Sequence, residues 1–214
     1  MSLRERLFAG RLAAFAPTVA DAGGMPMGEF LQPAGLEQRL RAIYGDELFA
    51  TRRAVLVSQY SKYYFMALLP PVLVATLVHG WRLPLSGLRV VLDERGLPSA
   101  LHFANDGEPG TQAKCFADVM ERHLPSVIDA LAAFGQVPAA VLWGNVGDYF
   151  ESTLQTLGAL TEAELDGGFA WLRDPESPLY KAVAYTPRRQ RRTCCLAYEV
   201  EGIGHCEHCP VRGR

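Results

Sequence analysis

Neither sign of charge is in excess in this 214-residue chain: 21 lysine and arginine residues against 23 aspartate and glutamate leave a net of −2. A general nucleic-acid binder needs a positive surplus to neutralise phosphates, so the balance argues against that class. Long hydrophobic runs are lacking too. The longest, Tyr63–Val78, has sixteen residues and contains Pro70 and Pro71, short of the roughly 20 needed to span a bilayer. It reads as a pair of buried core helices, and no transmembrane segment is expected. The first residues do not form an export signal, because Arg11 interrupts the apolar stretch and Glu5 sits in the charged segment; a cytoplasmic protein is expected. No phosphate-binding loop and no G-x-G-x-x-G after a strand is present, so the chain shows no nicotinamide or flavin site of its own. Internal repeats and low-complexity segments are absent. Cysteine is scarce, five in all, and four of them fall within Cys194–Cys209.

What is present is an apolar fraction of 49%, enough to build a core. The length suggests one domain with a small appendage. Leu36–Tyr44 has helical spacing of its apolar residues, Glu47–Leu69 reads as a long helix, and Pro71–His79 as a second one started by proline. Leu88–Leu92 and Ala100–Phe103 flank a Gly-containing turn and predict a β-hairpin. Gln112–Phe134 reads as helical with a kink near Pro125, and Pro138–Leu157 as helical. Thr161–Trp171 does so as well, with Thr161 and Glu164 at capping-box spacing. Val183–Tyr185 has strand character. The expected class is α+β: a mostly helical domain with a small antiparallel sheet over residues 1–185, and a C-terminal cysteine-rich segment over 186–214. That last segment has too few apolar side chains for a core of its own and needs a metal, or docking onto the body, to be ordered.

Basic charge gathers where the cysteines are. Residues 181–214 hold seven basic and three acidic side chains, a net of +4, and the remainder of the chain carries −6. Cys194 and Cys195 are followed by ten residues, Cys206, two residues and Cys209. In a reducing compartment such a cluster points to metal, a disulfide pair being the alternative if the protein is exported. The Cys206–Cys209 spacing lets both sulfurs face one ion. Adjacent Cys194 and Cys195 diverge in extended backbone and reach a two-iron cluster more easily than one small ion. Zinc stays open on spacing alone. His205 and His208 read as neighbours that tune the site by hydrogen bonds, a mixed Cys/His ligand set being the other reading.

The string RRTCCLAYEVEGIGHCEHCP resembles the C-terminal signature of the FhuF-type siderophore-iron reductases. SQYSKYYFMALLPPVLVATL (Ser58–Leu77) is similar to that family's helical core segment, VLWGNVGDYF (Val141–Phe150) to its W-x-N stretch, and SPLYKAV (Ser177–Val183) to the segment leading into the cysteines. The first 40 residues lie outside the resemblance. It implies a [2Fe–2S] cluster held by Cys194, Cys195, Cys206 and Cys209, in a cytosolic reductase that removes iron from imported ferric siderophores by passing one electron to the bound Fe(III) and releasing Fe(II).

Such chemistry needs an electron carrier beside the chelate and neither nucleophile nor general base. The absence of a nucleotide motif assigns electron supply to a separate donor, a ferredoxin-like or flavin reductase partner. Arg191 and Arg192, beside the cysteines, are the candidates to attract an anionic chelate, with Arg188 and Arg189 behind them. Trp143 and Asn145 are candidates to line the chelate cleft or to pack beneath the cysteine loop. Tyr60, Tyr63 and Tyr64 offer an aromatic patch, though their helical context favours core packing. Cys115 reads as a small buried side chain. Two other classes compete: a zinc-stabilised binding module with a structural four-cysteine site, and a siderophore-binding accessory protein that holds a cluster without turnover.

Overall fold

The computed structural model of the protein describes residues 3–185, 188–200 and 203–212. In chain order the elements are α1 (Leu3–Leu7), a 3₁₀ turn (Gly10–Thr18), β1 (Met25–Pro26), α2 (Met27–Phe30), α3 (Pro33–Tyr44), α4 (Asp46–Leu73) and a π turn (Val74–Val78). There follow β2 (Trp81–Arg82), β3 (Arg89–Leu92), β4 (Pro98–His102), β5 (Glu108–Pro109), α5 (Gln112–Phe116) and a second π turn (Ala117–His123). Then come α6 (Leu124–Gly135), α7 (Ala139–Leu160), α8 (Asp166–Arg173), β6 (Val183–Tyr185), β7 (Arg189–Arg191) and a 3₁₀ turn (Ala197–Glu199). The α+β class, mostly helical with small antiparallel sheets, is as expected. The predicted hairpin is β3–β4, to which β1 adds on the other edge of β3.

Helix α4 is the axis of the molecule. It packs against α3, α6, α7 and β4. From Val55 to Leu73 nearly every side chain is buried, on all sides of the helix, the pattern of an interior helix rather than an amphipathic one. By length and composition Asp46–Val78 is apolar enough to cross a membrane, but most of that stretch is buried against the rest of the chain. Four buried polar side chains interrupt this apolar surroundings: Ser58, Gln59 and Ser61 on α4, and Asn145 on the facing side of α7. Each such group must be hydrogen-bonded to be tolerated there. That polar seam carries the site.

Two expectations are corrected. Pro70 and Pro71 do not divide the long helix; α4 runs through both, and the amide of Val74 resumes the ladder by donating to their carbonyls. Each proline removes one helical donor, but the flanking residues Ala67–Leu73 are buried, and packing keeps the backbone helical where propensity would break it. The one departure from helical angles within α4 is at Arg52. The capping box at Thr161 and Glu164 does not form either. The Thr161 hydroxyl donates back to the Leu157 carbonyl at 2.9 Å and so closes α7 rather than opening the next helix; α8 begins at Asp166.

Candidate metal centre

The cysteine segment is fixed to the body by a strand. β7 pairs antiparallel with β6, with Val183 opposite Arg191 and Tyr185 opposite Arg189. The Arg191 amide donates to the His208 carbonyl at 2.9 Å, and the Arg192 amide to that of Ala182 at 2.8 Å. The strand is thereby held on both sides, by β6 and by the turn that carries Cys206 and Cys209. Thr186 and Pro187, at the start of the 186–214 segment, lie outside the described residues, as do Gly213 and Arg214.

Close approach to α7 depends on two glycines of the W-x-N stretch. A Cβ at Gly144 would overlap the Thr193 hydroxyl, and one at Gly147 would overlap the Ala182 methyl. Between them, Asn145 sits fully buried. Its amide nitrogen donates to the Ser58 carbonyl at 2.9 Å, the Ser58 hydroxyl at 3.1 Å and the Ser61 hydroxyl at 3.0 Å, and its oxygen accepts from the Arg191 guanidinium. The seam continues to the cysteines: the Cys195 carbonyl accepts from Ser58 Oγ at 2.9 Å and from Gln59 Nε2 at 2.6 Å.

Charge locks the same contact. Arg189 pairs with Asp148 and Glu151, each at 2.7 Å, and Glu151 also accepts from the Tyr185 hydroxyl. His208 lies 3.5 Å from Asp148. Glu151 is 3% and Arg191 2% exposed, so these ions are withdrawn from water and depend on one another.

The cysteine loop turns on Leu196, a non-glycine residue at φ 65°. That conformation costs about 1–2 kcal/mol and aims two consecutive amides at sulfur. Leu196 N–H donates to Cys194 Sγ at 3.3 Å, and the Ala197 amide reaches the Cys195 thiolate. A further turn, Cys209 N–H to the Cys206 carbonyl at 3.1 Å, brings the second pair into place. The thiols meet as two couples, Cys195 with Cys206 and Cys194 with Cys209. Cys206 beside it holds the Cys195 thiol well below its usual range, aided by the nearby Lys62 ammonium, and Cys206 is raised in consequence. Burial, opposed by the Leu196 amide and reinforced by Cys209 and Cys195, raises Cys194. Cys195 and Cys209 are almost wholly buried, and Cys194 and Cys206 half-buried. His205 lies against Cys209, Nδ1 to Sγ 3.3 Å, and stacks on Tyr198 with centroids 5.3 Å apart.

Among the described residues, no three His, Cys, Asp or Glu side chains form the shell of a single metal ion. Four soft thiols standing as two couples, with backbone amides directed at sulfur, suit a two-iron cluster, which takes two thiolates per iron. A lone tetrahedral ion needs all four on one centre. The residues present therefore fit a [2Fe–2S] group.

The other expected site residues are placed as follows. Arg191 and Asn145 are interior and hydrogen-bonded to each other. Arg192 is exposed, donating to the Tyr180 carbonyl at 3.0 Å. Trp143 is half-buried and packed on the core, and Arg188 is exposed. Tyr60 and Tyr64 are core residues stacked on Phe30, Tyr63 is half-buried, and Cys115 is buried with its thiol directed at the Trp81 carbonyl. A cavity of about 590 Å³ between Arg82, Asn105, Asp118 and His123 is lined by none of the expected site residues. Sequence reasoning missed Ser58, Gln59, Ser61, Lys62, Asp148 and Glu151. Their signal is present as polar residues at positions i, i+1, i+3 and i+4 in an otherwise apolar helix, and as two acids one helical turn apart on α7.

Comparison with known proteins agrees with this geometry. Residues 58–196 match the family described as ferric iron reductase FhuF-like transporter, and residues 191–210 match the FhuF 2Fe-2S C-terminal domain. A protein of Escherichia coli (strain K12) named ferric siderophore reductase is 24% identical over 226 residues, an alignment that covers 90% of this chain and 81% of the relative. The first match spans well over half of the chain and the second falls on the paired thiols, so the chain belongs to the FhuF family of ferric iron reductases and carries that family's [2Fe–2S] domain.

Proposed function

We propose that this oxidoreductase acts on Fe(III) held in a siderophore and returns it as Fe(II) in the cytosol. Siderophores bind ferric iron through hard, often anionic oxygens, and one added electron lowers the charge and hardness of the metal, so the oxygen cage loosens. Cys194, Cys195, Cys206 and Cys209 would hold the [2Fe–2S] group, which supplies a one-electron carrier. The observation that supports this reading is the gathering of those four thiols as two couples on a loop pinned to the body through Cys195 and Asn145.

The chain's own residues have three tasks. Ser58, Gln59, Asn145 and Arg191 hold the loop in one position, which keeps the distance to a docked chelate short. The amides of Leu196 and Ala197 stabilise charge on sulfur. The exposed Arg188 and Arg192 give the rim a positive field that attracts an anionic chelate or an acidic donor. Arg191 and Asn145 act from below, by positioning. With no nucleotide-binding motif in the sequence, electrons come from a separate ferredoxin-like or flavin reductase.

The test is direct. Protein purified without air should be brown, contain iron and labile sulfide, and bleach with dithionite. Once reduced, it should transfer one electron to a ferric hydroxamate and deliver Fe(II) to a ferrous chelator. Cys206→Ser should lose colour and transfer together. Colourless protein containing zinc would establish a structural four-cysteine module instead. Cluster-loaded protein without transfer would establish an accessory role.

A further inference from the structure

Lys62 stands one helical turn beyond Ser58 on α4, half-buried against the cysteine loop. Its ammonium donates to Gln59 Oε1 at 2.8 Å, while the other end of the same amide, Gln59 Nε2, donates to the Cys195 carbonyl at 2.6 Å. One glutamine therefore fixes both the cysteine backbone and the cation beside it. The ammonium so placed lies beside the loop, where its charge favours the ionised form of both Cys195 and Cys206. The other cations of the site are compensated differently. Arg189 is paired with Asp148 and Glu151, and Arg191 lies 3.8 Å from Asp148. Among the described residues Lys62 has a neutral amide in the place of their carboxylates, which leaves its charge to act on the neighbouring sulfurs.

We propose that Lys62 is the residue that sets the reduction potential of the cluster, by placing a positive charge against the couple Cys195 and Cys206. The inference rests on the reading of the four cysteines as ligands. Adding an electron makes the centre more negative, and a fixed cation at a ligand sulfur favours that form over the oxidised one. Its partial burial matters, because a unit charge a few ångströms away is worth several-fold more there than in bulk water. Gln59 is the positioning residue that keeps the ammonium beside the cysteine loop rather than in solvent.

The experiment uses the full chain, purified without air as wild type, Lys62→Met, Lys62→Gln and Lys62→Arg. Iron, sulfide and the visible spectrum are measured first, then the midpoint potential by dye-equilibrated titration. Lys62→Met and Lys62→Gln should keep wild-type iron and sulfide while the equilibrium constant for reduction falls on the order of tenfold, about 59 mV for one electron. Lys62→Arg should stay near the wild-type potential. An unchanged potential in the uncharged variants overturns the proposal, as does an equal shift in Lys62→Arg. Loss of the cluster from both uncharged variants also overturns it, assigning Lys62 to assembly. Wild-type protein without iron and sulfide overturns the ligand reading, and this inference with it, before any variant is compared.

Discussion

Arg191 donates to the side-chain oxygen of Asn145, and through that bond the strand leading into the cysteines is joined to the second turn of α7. Asn145 spends its amide nitrogen on Ser58 and Ser61 of α4, so one side chain connects three parts of the chain that are distant in sequence. Removing it as Asn145→Ala leaves a buried guanidinium and two buried hydroxyls short of partners. A loss of about 1–3 kcal/mol in unfolding free energy is expected from the hydrogen bonds these buried groups lose. Denaturant unfolding followed by circular dichroism checks the stability. The rate of visible bleaching in the presence of a chelator checks the site, and should rise. A variant as stable and as slow to bleach as wild type would show that the seam does not hold the loop.

Gly147→Ala tests the closeness of that contact without touching any polar group. The new methyl would overlap the Ala182 side chain, and overpacking of this kind costs about 1–3 kcal/mol. The helical content should stay at the wild-type level while limited proteolysis cuts earlier in residues 183–212. The double variant Gly147→Ala with Ala182→Gly should recover most of the protection, because the space is returned from the other side. Absence of that rescue would mean that the loss does not come from the overlap of the new methyl with Ala182.

The four cysteines are legible in the sequence because their spacing is local and thiol chemistry is restrictive. The seam beneath them is not, because its partners are far apart: Ser58 and Cys195 are separated by 137 positions. Arg191 and Asn145 stand out in the sequence as charged and polar residues near a binding site. Only the fold shows that they face each other in the interior, where Arg191 serves Asn145 rather than solvent. The helices were visible through their apolar spacing, yet two local rules failed. At Pro70 and Pro71 tertiary burial overrode a breaking signal, and at Thr161 a hydroxyl suited to opening a helix found a carbonyl of the preceding one.

Acid stability should depend on His123. Its ring nitrogen meets the Tyr64 hydroxyl at 2.5 Å, and burial pushes its pKa from 6.5 down to about 4. The folded state thus prefers the neutral ring, while the unfolded chain takes up a proton near pH 6.5. The contribution is fully present above that pH and is lost as pH falls toward 4, amounting to about 3 kcal/mol across the window. Unfolding free energies at pH 7 and pH 5 should differ less in His123→Gln than in wild type. Parallel pH dependence in the two proteins would show that the half-buried ring is already protonated or that other groups dominate.

Arg191 and Arg192 are neighbours with opposite surroundings, and the contrast separates holding from attracting. Arg191 is 2% exposed and bonded to Asn145, so Arg191→Ala strips a buried network of its cation; iron and sulfide content should fall, with about 3–5 kcal/mol of stability lost. Arg192 is exposed, and a single surface charge is worth about 0.2–1 kcal/mol. Arg192→Ala should keep its iron and sulfide and its unfolding midpoint. Its KM for an anionic ferric chelate should rise by at most about fivefold, and that difference should vanish in high salt as the field is screened. Chelate reduction assayed at two ionic strengths, with iron content measured on the same samples, distinguishes the two roles. An Arg191→Ala protein that keeps its iron and loses only affinity for the chelate would place that side chain at the rim rather than beneath the loop.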